Sequence, residues 1–137
     1  MAKDREPWIP FHLRIGAVLG GLGDDVFTAN ARRLHTAFYE LQKANPELFP
    51  GMTFSILSTY PYSKELRSAL FRLQQSDALS ADNPKWVRYQ IQRRELKRKL
   101  DDLDVQGKDT INRLTALGVQ VAPKLALTEE EGAATPA

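Results

Sequence analysis

Between residues 60 and 118 the apolar positions recur at helical spacing, then alternate, then return to helical spacing. Ser63 opens a helix behind Pro61, with Glu65 in the first turn to complement the helix dipole. Leu66, Ala69, Leu70 and Leu73 make one stripe of that helix. At about 100° per residue the opposite face holds Lys64, Ser68, Phe71 and Gln75, flanked by Arg67 and Arg72. Ala78-Leu79-Ser80 then predicts a short strand, Ala81-Asp82-Asn83-Pro84 a turn, and Trp86 to Ile91 a longer strand. In the longer strand Val87, Tyr89 and Ile91 face inward, and Trp86, Arg88 and Gln90 outward.

Upstream, Pro7 and Pro10 block a regular helix and leave residues 1–9 as an arm, with Trp8 and Ile9 packing onto the domain. Phe11, Leu13, Ile15, Val18, Leu19 and Leu22 suit a buried helix, with a strand-like start at Leu13 and Ile15 as the alternative. Gly16, Gly20 and Gly21 either weaken that helix or permit close packing. Asp24 or Asp25 caps a second helix carrying Phe27, Leu34, Phe38 and Leu41, which ends at Asn45-Pro46. Met52, Phe54 and Ile56 alternate with Thr53 and Ser55, the pattern of a short strand. From Gln92 the positions Leu96, Leu100, Leu103, Gly107, Thr110, Leu114 and Leu117 step by four and three, as in a coiled coil. That predicts one helix with a weak middle or two broken near Gly107, with Gly118 as its stop.

Helix, short strand, turn and longer strand together predict an α+β winged helix-turn-helix with a long C-terminal helix, mostly helical with a small antiparallel sheet. The expected organisation is an arm over 1–9, the winged-helix domain over 10–92, a C-terminal helix over 93–118 and a flexible tail over 119–137. Leu96, Leu100, Leu103 and Leu114 make the C-terminal helix a candidate dimerisation arm.

Charge sharpens this picture. The 137 residues carry a formal +2, but Glu129, Glu130 and Glu131 in the tail account for three of the 17 acids. Within Lys85 to Lys99, the cations Lys85, Arg88, Arg93, Arg94, Lys97, Arg98 and Lys99 face Glu95 alone. Such an excess attracts phosphate or an acidic protein surface, unless it is an ordinary solvated helix face. The chain has no cysteine and no apolar run near the roughly 18 residues of a membrane span, and the mixed-charge start resembles no signal peptide. A cytoplasmic protein without a membrane contact is expected.

Catalytic and metal chemistry has little to stand on. His12 and His35, the two histidines, lie in helical stretches without metal-ligand spacing. Asp101, Asp102 and Asp104 have Lys97, Arg98 and Lys108 as ordinary helical partners. The glycines between Gly16 and Gly23 lack the lysine and hydroxyl ending of a phosphate loop. No enzyme activity, cofactor or metal is therefore expected.

Binding has more support. Lys64, Arg67, Ser68, Arg72 and Gln75 offer donors for base edges and phosphates, and Lys85, Arg88, Arg93 and Arg94 would hold phosphates at and after the wing. This predicts a DNA-binding transcriptional regulator. Phe71, in the middle of the same face, and Trp86 at the wing favour a partner protein instead. The alternative is thus a protein-interaction module, an antitoxin or a subunit of a larger bacterial or phage complex.

Leu34-His35-Thr36-Ala37-Phe38-Tyr39, with Tyr60-Pro61-Tyr62-Ser63-Lys64-Glu65-Leu66-Arg67-Ser68-Ala69-Leu70 and Leu73, resembles the Panacea-type antitoxin domain over roughly residues 30–91. Thr59-Tyr60 stands where that pattern commonly has glycine, and Asp77-Ala78 replaces its glycine before the apolar strand. The resemblance implies a small helical or winged domain that binds a toxin or effector, and sometimes operator DNA, without catalysis. Tyr62, Ser63 and Glu65 would then serve as structural start signals.

Overall fold

Pro10 sets where the first helix begins, because its fixed φ suits the residue before a helix. The computed structural model describes residues 9–57, 59–81, 88–103 and 107–128. Helix α1 (Phe11–Gly20) is helical from its first turn, so Leu13 and Ile15 start no strand. It buries Leu13, Ile15, Ala17, Val18 and Leu19 around most of its circumference. A helix apolar on every side must be surrounded, and α1 packs against three later helices: α3 (Lys64–Gln75), α4 (Arg93–Asp101) and α5 (Lys108–Leu125). Its buried Arg14 is satisfied by donating to the Leu48 carbonyl at 2.9 Å.

The second helix starts later than expected. Asp24 and Asp25 do not cap it; Val26–Thr28 forms strand β1, and α2 (Ala31–Ala44) follows with Asn30 as its cap. Asn30 Oδ1 accepts from the Arg33 N–H at 3.0 Å. Phe27 was placed in the helix by its spacing to Leu34, yet it lies in the strand and stacks on Tyr89 at 5.3 Å. The reason is tertiary. Val26 and Thr28 suit a pleated strand, and β3 (Arg88–Ile91) offers them a ladder.

The sheet is antiparallel, in the order β1-β3-β2, with β2 covering Leu79–Ala81. Phe27 pairs with Tyr89 and Thr28 with Arg88 on one side of β3, while Leu79 pairs with Ile91 and Ala81 with Tyr89 on the other. Tyr89 and Ile91 face inward and Gln90 outward, as the alternation predicts. Val87 and the expected turn at 82–84 lie outside the described residues.

The strand expected at Met52, Phe54 and Ile56 does not form. Ser55 and Tyr62 make an isolated antiparallel bridge, and beyond it Ile56 and Leu57 are 74% and 95% exposed. Among the described residues the alternation there is met by a single bridge and by no ladder, and it joins neither edge of the β1-β3-β2 sheet. Met52 is nonetheless buried, and Phe54 sits edge-on to Tyr39 at 5.2 Å.

The C-terminal pattern resolves into two helices, α4 and α5, and its apolar seam faces the chain's own core. Leu96 is 4% exposed, Thr110 9%, Leu114 0% and Leu117 6%. Gly118 does not stop α5, which runs on to Leu125 with Val121 and Leu125 buried. Gly118 is there for closeness: a Cβ on it would run into the Val18 carbonyl and the Gly21 backbone, and one on Gly21 into the Thr115 carbonyl. Two glycines thus let α1 and α5 cross backbone to backbone. Residues 119–125, expected to start a tail, continue α5 and put Val121 and Leu125 into the core. The fold is α+β, mostly helical, with five helices and a small three-stranded antiparallel sheet among the described residues. None of these helices is long and apolar enough to cross a membrane.

Candidate nucleic-acid interface

Helix α3 is built to hold one face inward and start at one residue. Leu66, Ala69, Leu70 and Leu73 are buried, as their spacing predicts. Ser63 Oγ accepts from the Leu66 N–H at 3.1 Å, and the Ser63 N–H donates to His35 Nδ1 at 2.9 Å. His35 stacks on Tyr62 with ring centroids 4.6 Å apart. Burial pushes the His35 imidazole down to about 4, so it stays neutral and keeps Nδ1 free to accept. Glu65 Oε1 accepts from the Thr53 N–H at 2.9 Å and its hydroxyl at 2.7 Å, which fixes the loop before α3 to the helix's first turn. Partial burial works against the Glu65 carboxylate, but the Thr53 donors and the Ser63 hydroxyl hold its carboxyl below the ordinary value.

The outward face of α3 carries Lys64, Arg67, Ser68, Phe71, Arg72 and Gln75, all exposed. Lys64, Arg67 and Arg72 take part in no ion pair among the described residues. A groove of about 510 Å³ runs along one flank of α3, between Lys64, Ser68 and Arg72 and the Pro10-Phe11-His12 start of α1. A second, of about 400 Å³, lies on the other flank between Arg67, Phe71 and Gln74 and the side chains of Leu34, Tyr62 and Tyr89. Phe71 stands 57% exposed at the edge of the second groove.

The other sequence-derived candidates divide. Arg88 is half-buried on β3, opposite Thr28. Arg94 is exposed at the start of α4. Lys85 and Trp86 lie outside the described residues. Arg93 is not available to phosphate: Nε donates to Asp25, and its two terminal nitrogens donate to the Gly20 carbonyl at 3.1 Å and the Asp24 carbonyl at 2.9 Å. It ties α4 to the turn between α1 and β1. Nor do the seam leucines form a docking face. Leu96 and Leu114 are core residues, and Leu100 and Leu103 pack half-buried against the same core. A dimer seam and an α-helical pair folded back on its own domain share one periodicity, so the spacing alone does not distinguish them.

His12 and His35, set aside as structural in the sequence, both sit at α3. His35 positions its start, and His12 lines the first groove beside Arg72. The spacing of either histidine gave no sign of this, since the contacts join residues far apart in the chain. Among the described residues no three His, Asp or Glu side chains gather as a metal site would need. No family model, curated protein or solved structure matches the chain.

Proposed function

We propose that the chain is a winged helix-turn-helix that binds DNA and acts as a transcriptional regulator, by binding and without catalysis. The observation that carries this reading is the set of cations on the exposed side of α3: Lys64, Arg67 and Arg72 project from one helix with no ion-pair partner among the described residues. Unpaired surface cations are what phosphate neutralisation requires, and an exposed helix is what a major groove admits. The element order α1-β1-α2-α3-β2-β3 and the sheet order β1-β3-β2 support the winged arrangement, with α3 as recognition helix and the β2–β3 hairpin as wing. One departure stands beside it. Residues 45–63 replace the three- or four-residue turn that ordinarily joins such helices, and their tip exposes Ile56 and Leu57.

The test is fluorescence anisotropy with a mixed-sequence duplex, at low and then near-physiological salt. The expected result is an affinity that falls steeply with salt, with the slope reduced by about 1 in Lys64→Ala and in Arg72→Ala. No binding even at low salt would reject the DNA reading.

A second reading rests on Phe71. Its exposed ring beside the groove of Tyr62 and Tyr89 is suited to a partner protein, in keeping with the resemblance to the Panacea-type antitoxin domain. On this reading Phe71→Ala abolishes partner capture and leaves duplex titrations flat. Salt-dependent duplex binding that survives Phe71→Ala and is lost in Arg72→Ala would reject it.

A further inference from the structure

The groove between α1 and α3 combines cationic groups with an apolar wall, and among the described residues no ion pair takes up its cations. Its volume of about 510 Å³ lies in the range of small-molecule sites, roughly 300–1,000 Å³. Pro10, Phe11 and Ala69 supply apolar surface, and Lys64, Ser68, Arg72 and His12 supply donors around it. Lys64 and Arg72 have no ion-pair partner among the described residues. The acid in the lining, Glu65, has Oε1 committed to Thr53 through two hydrogen bonds, at 2.9 and 2.7 Å. The groove therefore presents net positive charge, two cations against one ionised carboxylate, with neither cation in an ion pair among the described residues. His12 registers the same field. Burial, and then the charges of Arg72 and Lys99, hold its imidazole below the ordinary value.

We infer that this groove is a binding site for a small organic acid, a carboxylate or phosphate carried on an apolar body about the size of an aromatic ring. Arg72 takes the acid group as a charge-assisted donor, Ser68 one turn away adds a hydroxyl, Lys64 two turns away adds attraction at longer range, and the ring lies against Phe11 and Pro10. A neutral body alone would leave two cations unpaired, and a bare inorganic anion would leave the apolar wall unused. Both halves of the ligand are thus specified by the lining. The acid would occupy Lys64, Ser68 and Arg72, which are also one row of the α3 face. Ligand and duplex then compete. This regulatory consequence rests on the DNA-binding reading; the ligand class does not.

The experiment titrates the full chain, without DNA, with benzoate, phenyl phosphate, inorganic phosphate and benzyl alcohol, following backbone amide shifts by NMR. Expected are saturable shifts at Phe11, His12, Ser68 and Ala69 with the two aromatic acids, at affinities at least about tenfold above benzyl alcohol and inorganic phosphate. Arg72→Gln, an exposed position whose spectrum reports whether the fold is intact, should weaken the acids by about tenfold. With benzoate, binding should also tighten as the pH falls below the ordinary histidine value of about 6.5, because a bound anion favours protonated His12, and His12→Gln should remove that pH dependence. Equal binding of benzyl alcohol would make the groove an apolar slot and overturn the inference. Equal binding of inorganic and phenyl phosphate would make it a bare anion patch suited to a nucleic-acid backbone, and would overturn it too. A duplex arm separates the two readings: benzoate binding by a protein that ignores DNA leaves the groove standing and removes the regulator, while DNA binding without benzoate binding does the reverse.

Discussion

Acid should unfold this protein through one side chain. His35 is 4% exposed, its Nδ1 accepts from the Ser63 N–H at 2.9 Å, and its imidazole is held down to about 4 by burial. In the unfolded chain it should titrate near its ordinary value of about 6.5. Above that pH both states are neutral and the group is silent. As the pH falls below it, the unfolded chain takes up a proton that the folded chain refuses, so stability is lost progressively until the folded pKa is reached. The linkage gives about 2 kcal/mol lost between about pH 7 and 5, and about 3 kcal/mol by pH 4. The perturbation is His35→Asn, whose Oδ1 can reach near the Nδ1 position and accept from Ser63 but does not titrate. The assay is urea unfolding of both proteins across that window, where carboxylates such as Glu65 contribute equally and cancel. His35→Asn should start less stable, having lost the stack on Tyr62, and then lose about 2 kcal/mol less than the parent by about pH 5. Parallel stability curves for the two proteins would refute the reasoning.

Two further substitutions test how the helices are held. Gly118→Ala places a methyl group against the Val18 carbonyl and the Gly21 backbone, and overpacking should cost about 2 kcal/mol even though alanine is the better helix former; a thermal midpoint equal to or above that of the parent would show that α1 and α5 do not cross there. Arg93→Ala removes the Asp25 pair and two carbonyl contacts, and should cost about 1–2 kcal/mol in urea unfolding. Arg94→Ala, one residue away and exposed, should leave stability within about 0.5 kcal/mol, so the pair of variants separates a positioning arginine from a surface one.

Much of the fold was legible where local pattern and tertiary demand agree. The Ser63 cap, the Leu66-Ala69-Leu70-Leu73 stripe and the inward Tyr89 and Ile91 all follow from spacing alone. The failures lie where a distant partner decides. Phe27 fits a helix with Leu34 until Tyr89 is present to stack on it. Met52, Phe54 and Ile56 fit a strand, but among the described residues that stretch makes one isolated bridge, Ser55 to Tyr62, and joins no sheet. Gly118 reads as a stop until Gly21 lies across it. At the α3–β2 turn, Asp77 adopts a φ of 68°, the left-handed region that the glycine of the resembling pattern would enter freely.

The candidate site was legible in its residues and misread in its emphasis, and the reason is pairing. The sequence shows its densest positive charge over 93–99, yet there the fold consumes much of it. Arg93 is tied to Asp25, Lys97 meets Asp101 at 2.7 Å, and Arg98 meets Glu95 at 2.6 Å. On α3 the cations are fewer, but among the described residues none of them is ion-paired, the helix's one acid, Glu65, being hydrogen-bonded to Thr53 instead. Charge density along a chain counts residues; attraction for an anion depends on which charges remain unanswered after folding. By that measure the surface best suited to an anionic partner is the exposed side of α3, with the grooves on its two flanks. Residues 93–99 mainly hold it in place, since α4 packs on α1 and α1 on α3. Neutralising Lys64 and Arg72 together should therefore cost more duplex affinity than neutralising Lys97 and Arg98 together, although both double variants remove the same formal charge.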